Sequence, residues 1–141
     1  MSQGAKGSHG GVLPGIVGAS LVHDLEAALG RLPWCVVYRH PVMGATLKSG
    51  RPCLTGIGGK GAADLHVEVQ GPDGRWVLAW LECKEGSGEL NPDQVAWHRK
   101  LQRRGRHAHV VRSVSDGMRV VDALREGRVP WYEVGLLGGS E

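Results

Sequence analysis

The chain has 141 residues, a net charge of +3 and three cysteines. Its length suits one domain around one core, and its charged and apolar fractions are those of a globular protein. An odd cysteine count without a C-x-x-C pair argues against a disulfide framework. No apolar run approaches spanning length and the N-terminus lacks a signal pattern, so a reducing cytoplasm is the expected compartment.

Residues Met1 to Gly18 are rich in Gly, Ser and small residues and are expected to form a flexible arm. The body is expected over 19–128, with a tail segment over 129–141. Ser20 is the expected cap of a short helix whose apolar face is Leu21, Val22, Leu25, Ala28 and Leu29, stopped by Gly30 and Pro33. Trp34 to Arg39 reads as a strand. Val42 to Lys60 reads as a loop, long for a small domain. Gly59-Lys60 fails as a phosphate loop: Leu54 stands where the first glycine belongs, and Gly61 where Ser or Thr belongs.

Asp64 to Gln70 alternates, with Leu65, Val67 and Val69 on one face and Asp64, His66, Glu68 and Gln70 on the other. Gly71-Pro72-Asp73-Gly74 is a turn signal. Arg75 to Lys84 carries the unbroken apolar run Val77 to Leu81, which predicts a strand covered on both faces. Asn91 is a strong helix cap and Pro92 fits the first helical position; that helix should run to Gly105. His107 to Val111 is a last strand, and Ser115 or Asp116 opens a last helix ending at Gly127. The order is α-β-β-β-α-β-α. The crossover through the Asn91 helix requires a parallel pair, so the expected fold is a mixed central sheet flanked by helices.

Folding at Gly71–Gly74 brings Asp64 beside Glu82 at one sheet edge. Glu82 and Lys84 share a face of their strand and Cys83 points away. Two carboxylates and an ammonium in a small volume suit metal-assisted phosphodiester hydrolysis. Asp64 and Glu82 are hard oxygen donors of the kind Mg²⁺ or Mn²⁺ prefers, and Lys84 and Gln94 can hold a water or offset phosphoryl charge. The D-x17-E-x-K spacing alone is weak; its weight comes from the turn, the buried strand and the capped helix. Glu26 is either a solvated helix residue or a carboxylate facing this site.

These residues resemble a family. GKGAADLHVEV, WLECK and NPDQVAWHRKLQRRG are similar to the VRR-NUC nucleases of the PD-(D/E)XK, restriction-endonuclease-like superfamily, over about Ser20 to Leu124. Ala63 replaces the proline of the family's first motif. The resemblance implies Asp64, Glu82 and the backbone carbonyl of Cys83 as Mg²⁺ or Mn²⁺ ligands, with Glu26 as the candidate first-helix glutamate. It implies Lys84 and Gln94 in catalysis. It further implies a DNA endonuclease of phage or bacterial stand-alone type, with a role in DNA repair or recombination. Some family members act as homodimers on branched DNA such as four-way junctions.

Arg99, Lys100, Arg103, Arg104, Arg106 and Arg112 fall in one stretch where every charge is positive. Taken alone, such a run is a solvated helix face. Beside the acid pair it favours a polyanion, and Lys48, Arg51, Lys60, Arg99, Lys100, Arg103 and Arg104 are the candidate DNA contacts. No base-reading motif is present. Two other readings stay open: a non-catalytic nucleic-acid-binding module of nuclease-like fold, and a structural domain in which Glu82 and Lys84 are an ion pair. His98, His107 and His109 lack the spacing of a zinc site.

Overall fold

The computed structural model describes residues 19–40, 43–46, 52–55, 59 and 61–134. The arm, Lys48, Arg51, Lys60 and the last seven residues lie outside that set. The elements are α1 (Ala19–Gly30), β1 (Cys35–Arg39), β2 (Met43–Thr46), β3 (Pro52–Thr55), β4 (Leu65–Gln70), β5 (Trp76–Cys83), α2 (Pro92–Arg103), β6 (His107–Val111), α3 (Val114–Arg125) and α4 (Trp131–Val134). The main sheet is mixed and four-stranded, in the order β1-β4-β5-β6. β1, β4 and β5 are antiparallel neighbours, and β6 runs parallel to β5.

The β4–β5 register follows from the turn. Gly74 has φ +87°, a conformation glycine adopts freely. Its N–H reaches the Gly71 carbonyl at 3.0 Å, and Asp73 Oδ1 accepts from Arg75 N at 2.9 Å. Leu65 then faces Leu81, and His66 faces Trp80. Paired residues share a face, so Leu65, Val67, Val69, Ala79, Leu81 and Cys83 form one apolar surface. It packs with Leu21, Val22, Leu25 and Leu29 of α1, Val120, Val121 and Leu124 of α3, and Val134 of α4. The helices approach closely at Gly117, where an added Cβ would lie 2.3 Å from Leu25 Cδ1.

The opposite face carries Glu68, His66, Trp80 and Glu82, and α2 covers only one end of it. Trp97 of α2 stacks edge-on against Trp80 at 5.2 Å. Away from that end, Trp76 and Leu78 are exposed at 47% and 37%. The run Val77 to Leu81 is therefore buried on both faces only at its C-terminal end, unlike the expectation from its composition.

Three other expectations change. The stretch Val42 to Lys60, read as a loop, contains the antiparallel hairpin β2–β3; four-residue strands with Gly, Pro and Ala are too short and too weak in β-propensity to announce themselves. Ser20 lies inside α1 rather than capping it, and the Leu21 N–H is satisfied from afar by Glu85 Oε2 at 3.1 Å. The last long helix is capped by Ser113, whose side chain accepts from Asp116 N, rather than by Ser115 or Asp116. Among the described residues no helix is long and apolar enough to cross a membrane.

Candidate functional site

Asp64 sits one residue before β4 and Glu82 one residue before the end of β5, so the hairpin sets them on adjacent strands. The Asp64 carbonyl accepts from His40 N at 2.8 Å, which ties it to the end of β1. Its carboxylate Oδ2 accepts from Cys83 N at 2.9 Å, which fixes it at the peptide between Glu82 and Lys84's neighbour Cys83. Glu82 is 3% exposed. Burial, then the facing Asp64 carboxylate, push its pKa up to about 8, and Lys84 opposes the rise. Its Oε1 is buried with no hydrogen-bond partner among the described residues.

Gln94 completes the arrangement through a capping box. Its Oε1 accepts from Asn91 N and its backbone N–H donates to Asn91 Oδ1, both at 2.9 Å. With Oε1 engaged, the Nε2 donor is turned toward the sheet and reaches Glu82 Oε2 at 3.3 Å. The spacing Asn91-x-x-Gln94 carries this signal in the sequence, where only the cap itself was read.

Gly61 seats this helix end against the acids. Its φ is +84°, and a Cβ there would lie 2.4 Å from the Asp93 carbonyl oxygen. Only glycine allows that approach without a backbone shift. The segment leading into Asp64 is thus locked to the first turn of α2, which carries Gln94.

Lys84 is half-buried. Its N–H bonds the Val111 carbonyl at 3.0 Å, extending the β5–β6 ladder by one step, and its chain runs beside Gly88. Its ammonium has no ion-pair partner among the described residues, so the Glu82–Lys84 ion pair of the structural-domain reading is not formed. Arg112 Nη1 donates to the carbonyls of Gly86 at 3.1 Å and Gly88 at 2.7 Å and clamps the loop after Lys84. Sequence reasoning placed Arg112 only in the basic run; nothing in its neighbours announces a contact with a loop more than twenty residues earlier.

No family model, curated protein or solved structure matches the chain.

The structure brings Asp64, Glu82, Gln94 and the Cys83 backbone together. Glu26 instead pairs with Arg39, at 3.7 Å, with both side chains partly exposed. Cys83 turns its side chain into the core, where burial raises its thiol pKa far above the ordinary value. Among the described residues no group of three or more His, Cys, Asp and Glu side chains could hold a metal ion. The donor set available is therefore two carboxylates plus main-chain oxygen. That set still fits a hard divalent cation, because a buried carboxylate oxygen without a donor, beside a second carboxylate, lacks only positive charge.

His98 and His109 are both fully buried. His109 pairs with Leu81 and so lies on the core face, whereas His98 rides on α2 above the opposite face, so the two do not converge. A cluster the sequence did not reveal lies beside Asp64. His40 and His66 meet through Nε2 and Nδ1, Tyr38 stacks on His66 at 4.3 Å, and His66 tilts against Trp80 at 5.1 Å. The alternation of β4 placed His66 on this face, but its partners come from the other side of the β2–β3 segment.

Arg99, Lys100 and Arg103 are exposed on α2, and Arg104 is exposed at its C-cap. None makes an ion pair among the described residues. Lys48, Arg51 and Lys60 fall outside the described residues.

Proposed function

We propose that the protein is a Mg²⁺- or Mn²⁺-dependent DNA endonuclease of PD-(D/E)XK type, as the VRR-NUC resemblance implies. The observation that carries this reading is the meeting of Asp64 and Glu82 at one end of the two inner strands, with Gln94 turned onto Glu82 and Lys84 beside them. In this reading Asp64, Glu82 and the Cys83 carbonyl hold the cation. When bound, the cation supplies Lewis acidity to the phosphoryl group and acidifies water.

The chain's own groups do the rest. Lys84 offsets charge that develops on the phosphoryl oxygens, a role open to it because no acid neutralises it among the described residues. Gln94 holds Glu82 in place through Nε2 and, in exchange, can hydrogen-bond water or phosphate. The exposed cations of α2 hold the DNA backbone without reading sequence. Glu26, engaged with Arg39, has the weakest support of the assigned ligands. Branched DNA as substrate, and a homodimer to cut both strands, rest on the resemblance alone.

The test is a panel of single-stranded, duplex and branched DNA incubated with Mn²⁺ and resolved by product length. Cleavage that EDTA stops is expected, and Lys84→Ala should abolish it while DNA binding persists. A Lys84→Ala protein that cuts as fast as wild type sinks the assignment. Salt-sensitive, metal-independent binding with no product on any substrate supports a non-catalytic nucleic-acid-binding module instead.

A further inference from the structure

The outward face of α2 borders a cleft of about 490 Å³ lined by Leu90, Pro92, Val95, Ala96, Arg99 and Arg103. That volume lies within the range of small-ligand sites, roughly 300–1,000 Å³. The floor is apolar and the rim is cationic. Arg99 and Arg103 are one helical turn apart, about 6 Å along the axis, so both guanidinium groups stand on the same side of the helix. Neither has an acidic partner among the described residues, and each can grip a phosphate through two parallel hydrogen bonds. The same helix turns Gln94 inward onto Glu82. The cleft and Gln94 therefore lie on opposite sides of the first turns of α2.

We propose that this cleft seats one unpaired nucleotide of a DNA strand, with its flanking phosphates on Arg99 and Arg103 and its base or sugar against Leu90, Pro92, Val95 and Ala96. The identity of the polymer rests on the nuclease reading; the unpaired state follows from the cleft. A duplex offers phosphates and base edges, which would satisfy the arginines and leave the apolar floor empty. Only a nucleotide free of its stack presents an apolar face to such a floor. An acidic peptide would match the arginines as well, but it brings carboxylates with little apolar surface. The site thus selects strands that are single or splayed.

Fluorescence anisotropy in EDTA, on the full chain, tests this with an oligothymidylate and a blunt duplex of equal length. Arg99→Ala combined with Arg103→Ala should lower the slope of log affinity against log salt for the single strand by about 1.4, two phosphates at about 0.7 each. Ala96→Trp fills the cleft from an exposed position and should weaken the single strand about tenfold while leaving the duplex within about twofold. Thermal melts of both proteins check that they fold. Single-strand affinity and salt slope unchanged in both proteins overturn the proposal. So does an Ala96→Trp protein that loses duplex and single strand equally. A glutamate-rich peptide that binds as tightly as the oligonucleotide, and is lost in the same variants, overturns it in favour of an acidic protein partner. Cleft-dependent selection of the single strand without cleavage under any metal supports the cleft and ends the nuclease reading. Mn²⁺-dependent cleavage with cleft variants indistinguishable from wild type does the reverse.

Discussion

Glu82 is a buried acid whose ionisation the fold opposes. Its pKa is raised from 4.5 to about 8 by burial first and by Asp64 second. A raised carboxyl is one whose folded state keeps a proton that the unfolded chain has lost. Its effect is a penalty that grows as pH rises from 4.5 to about 8, reaching ~5 kcal/mol above that window in the metal-free protein. Glu82→Gln removes the ionisation and keeps the shape. It should stabilise the metal-free protein at pH 8 by about 2 kcal/mol, since the amide still leaves a polar atom to satisfy. It should also lower DNA cleavage at least about a hundredfold, and added Mn²⁺ should no longer raise its melting temperature. Wild-type melting temperature that Mn²⁺ leaves unmoved at pH 8 would count against Glu82 as a ligand. A stability gain with loss of activity is the mark of a residue retained for chemistry rather than for folding.

At the scale of elements, the site depends on how the Gly61 segment meets α2. Gly61→Ala meets two obstacles, a left-handed φ of +84° and a Cβ 2.4 Å from the Asp93 carbonyl oxygen. Gly59 has nearly the same φ, +89°, but open space around it. Gly59→Ala should therefore cost only the strain of its conformation, about 1 kcal/mol, whereas Gly61→Ala should cost ~3 kcal/mol and push the segment leading into Asp64 away from the first turn of α2. Urea unfolding of the two variants isolates the packing part; equal losses would show that the close approach is not formed. Asn91→Ala should cost about 1 kcal/mol, because the Gln94 backbone N–H then loses its Asn91 Oδ1 acceptor, whereas the main-chain N–H of residue 91 that aims Gln94 Oε1 stays in place. The four strands of the main sheet, the turn and the Asn91 cap are legible because each is written in adjacent residues. The alternation of Leu65, Val67 and Val69 fixed the core face, and Gly71–Gly74 fixed which acids meet. What escaped notice is tertiary. Nothing near Gly61 reports that a carbonyl from α2 lies against it. Nothing near Glu85 reports that it caps α1, or near Glu26 that Arg39 takes its carboxylate. Leu78 reads as core by composition and is exposed because the covering helix ends short of it.

For the whole molecule, two sets of buried groups make stability depend on pH in opposite senses. His98 is held neutral, its pKa lowered from 6.5 to about 4 by burial, with a smaller opposing contribution from the Ala108 backbone. Burial lowers His40, His66 and His107 in the same direction. A neutral folded histidine gives up stability when the unfolded chain takes a proton that it refuses. Its contribution is complete above 6.5 and is lost as pH falls toward about 4, amounting to ~3 kcal/mol for His98. Glu82 works the other way across 4.5 to about 8, so in the metal-free protein its penalty masks part of the histidine slope where the windows overlap. Glu82→Gln should unmask it: stability that rises steadily from pH 4 to 6.5 and then levels. His98→Leu in that background should flatten the rise, because the apolar side chain fills the site and titrates nothing. Chemical denaturation at half-unit pH steps reads both slopes. A Glu82→Gln protein with the same alkaline decline as wild type would place the decline elsewhere, and a His98→Leu protein with an unchanged acid limb would mean that the buried ring accepts its proton without unfolding.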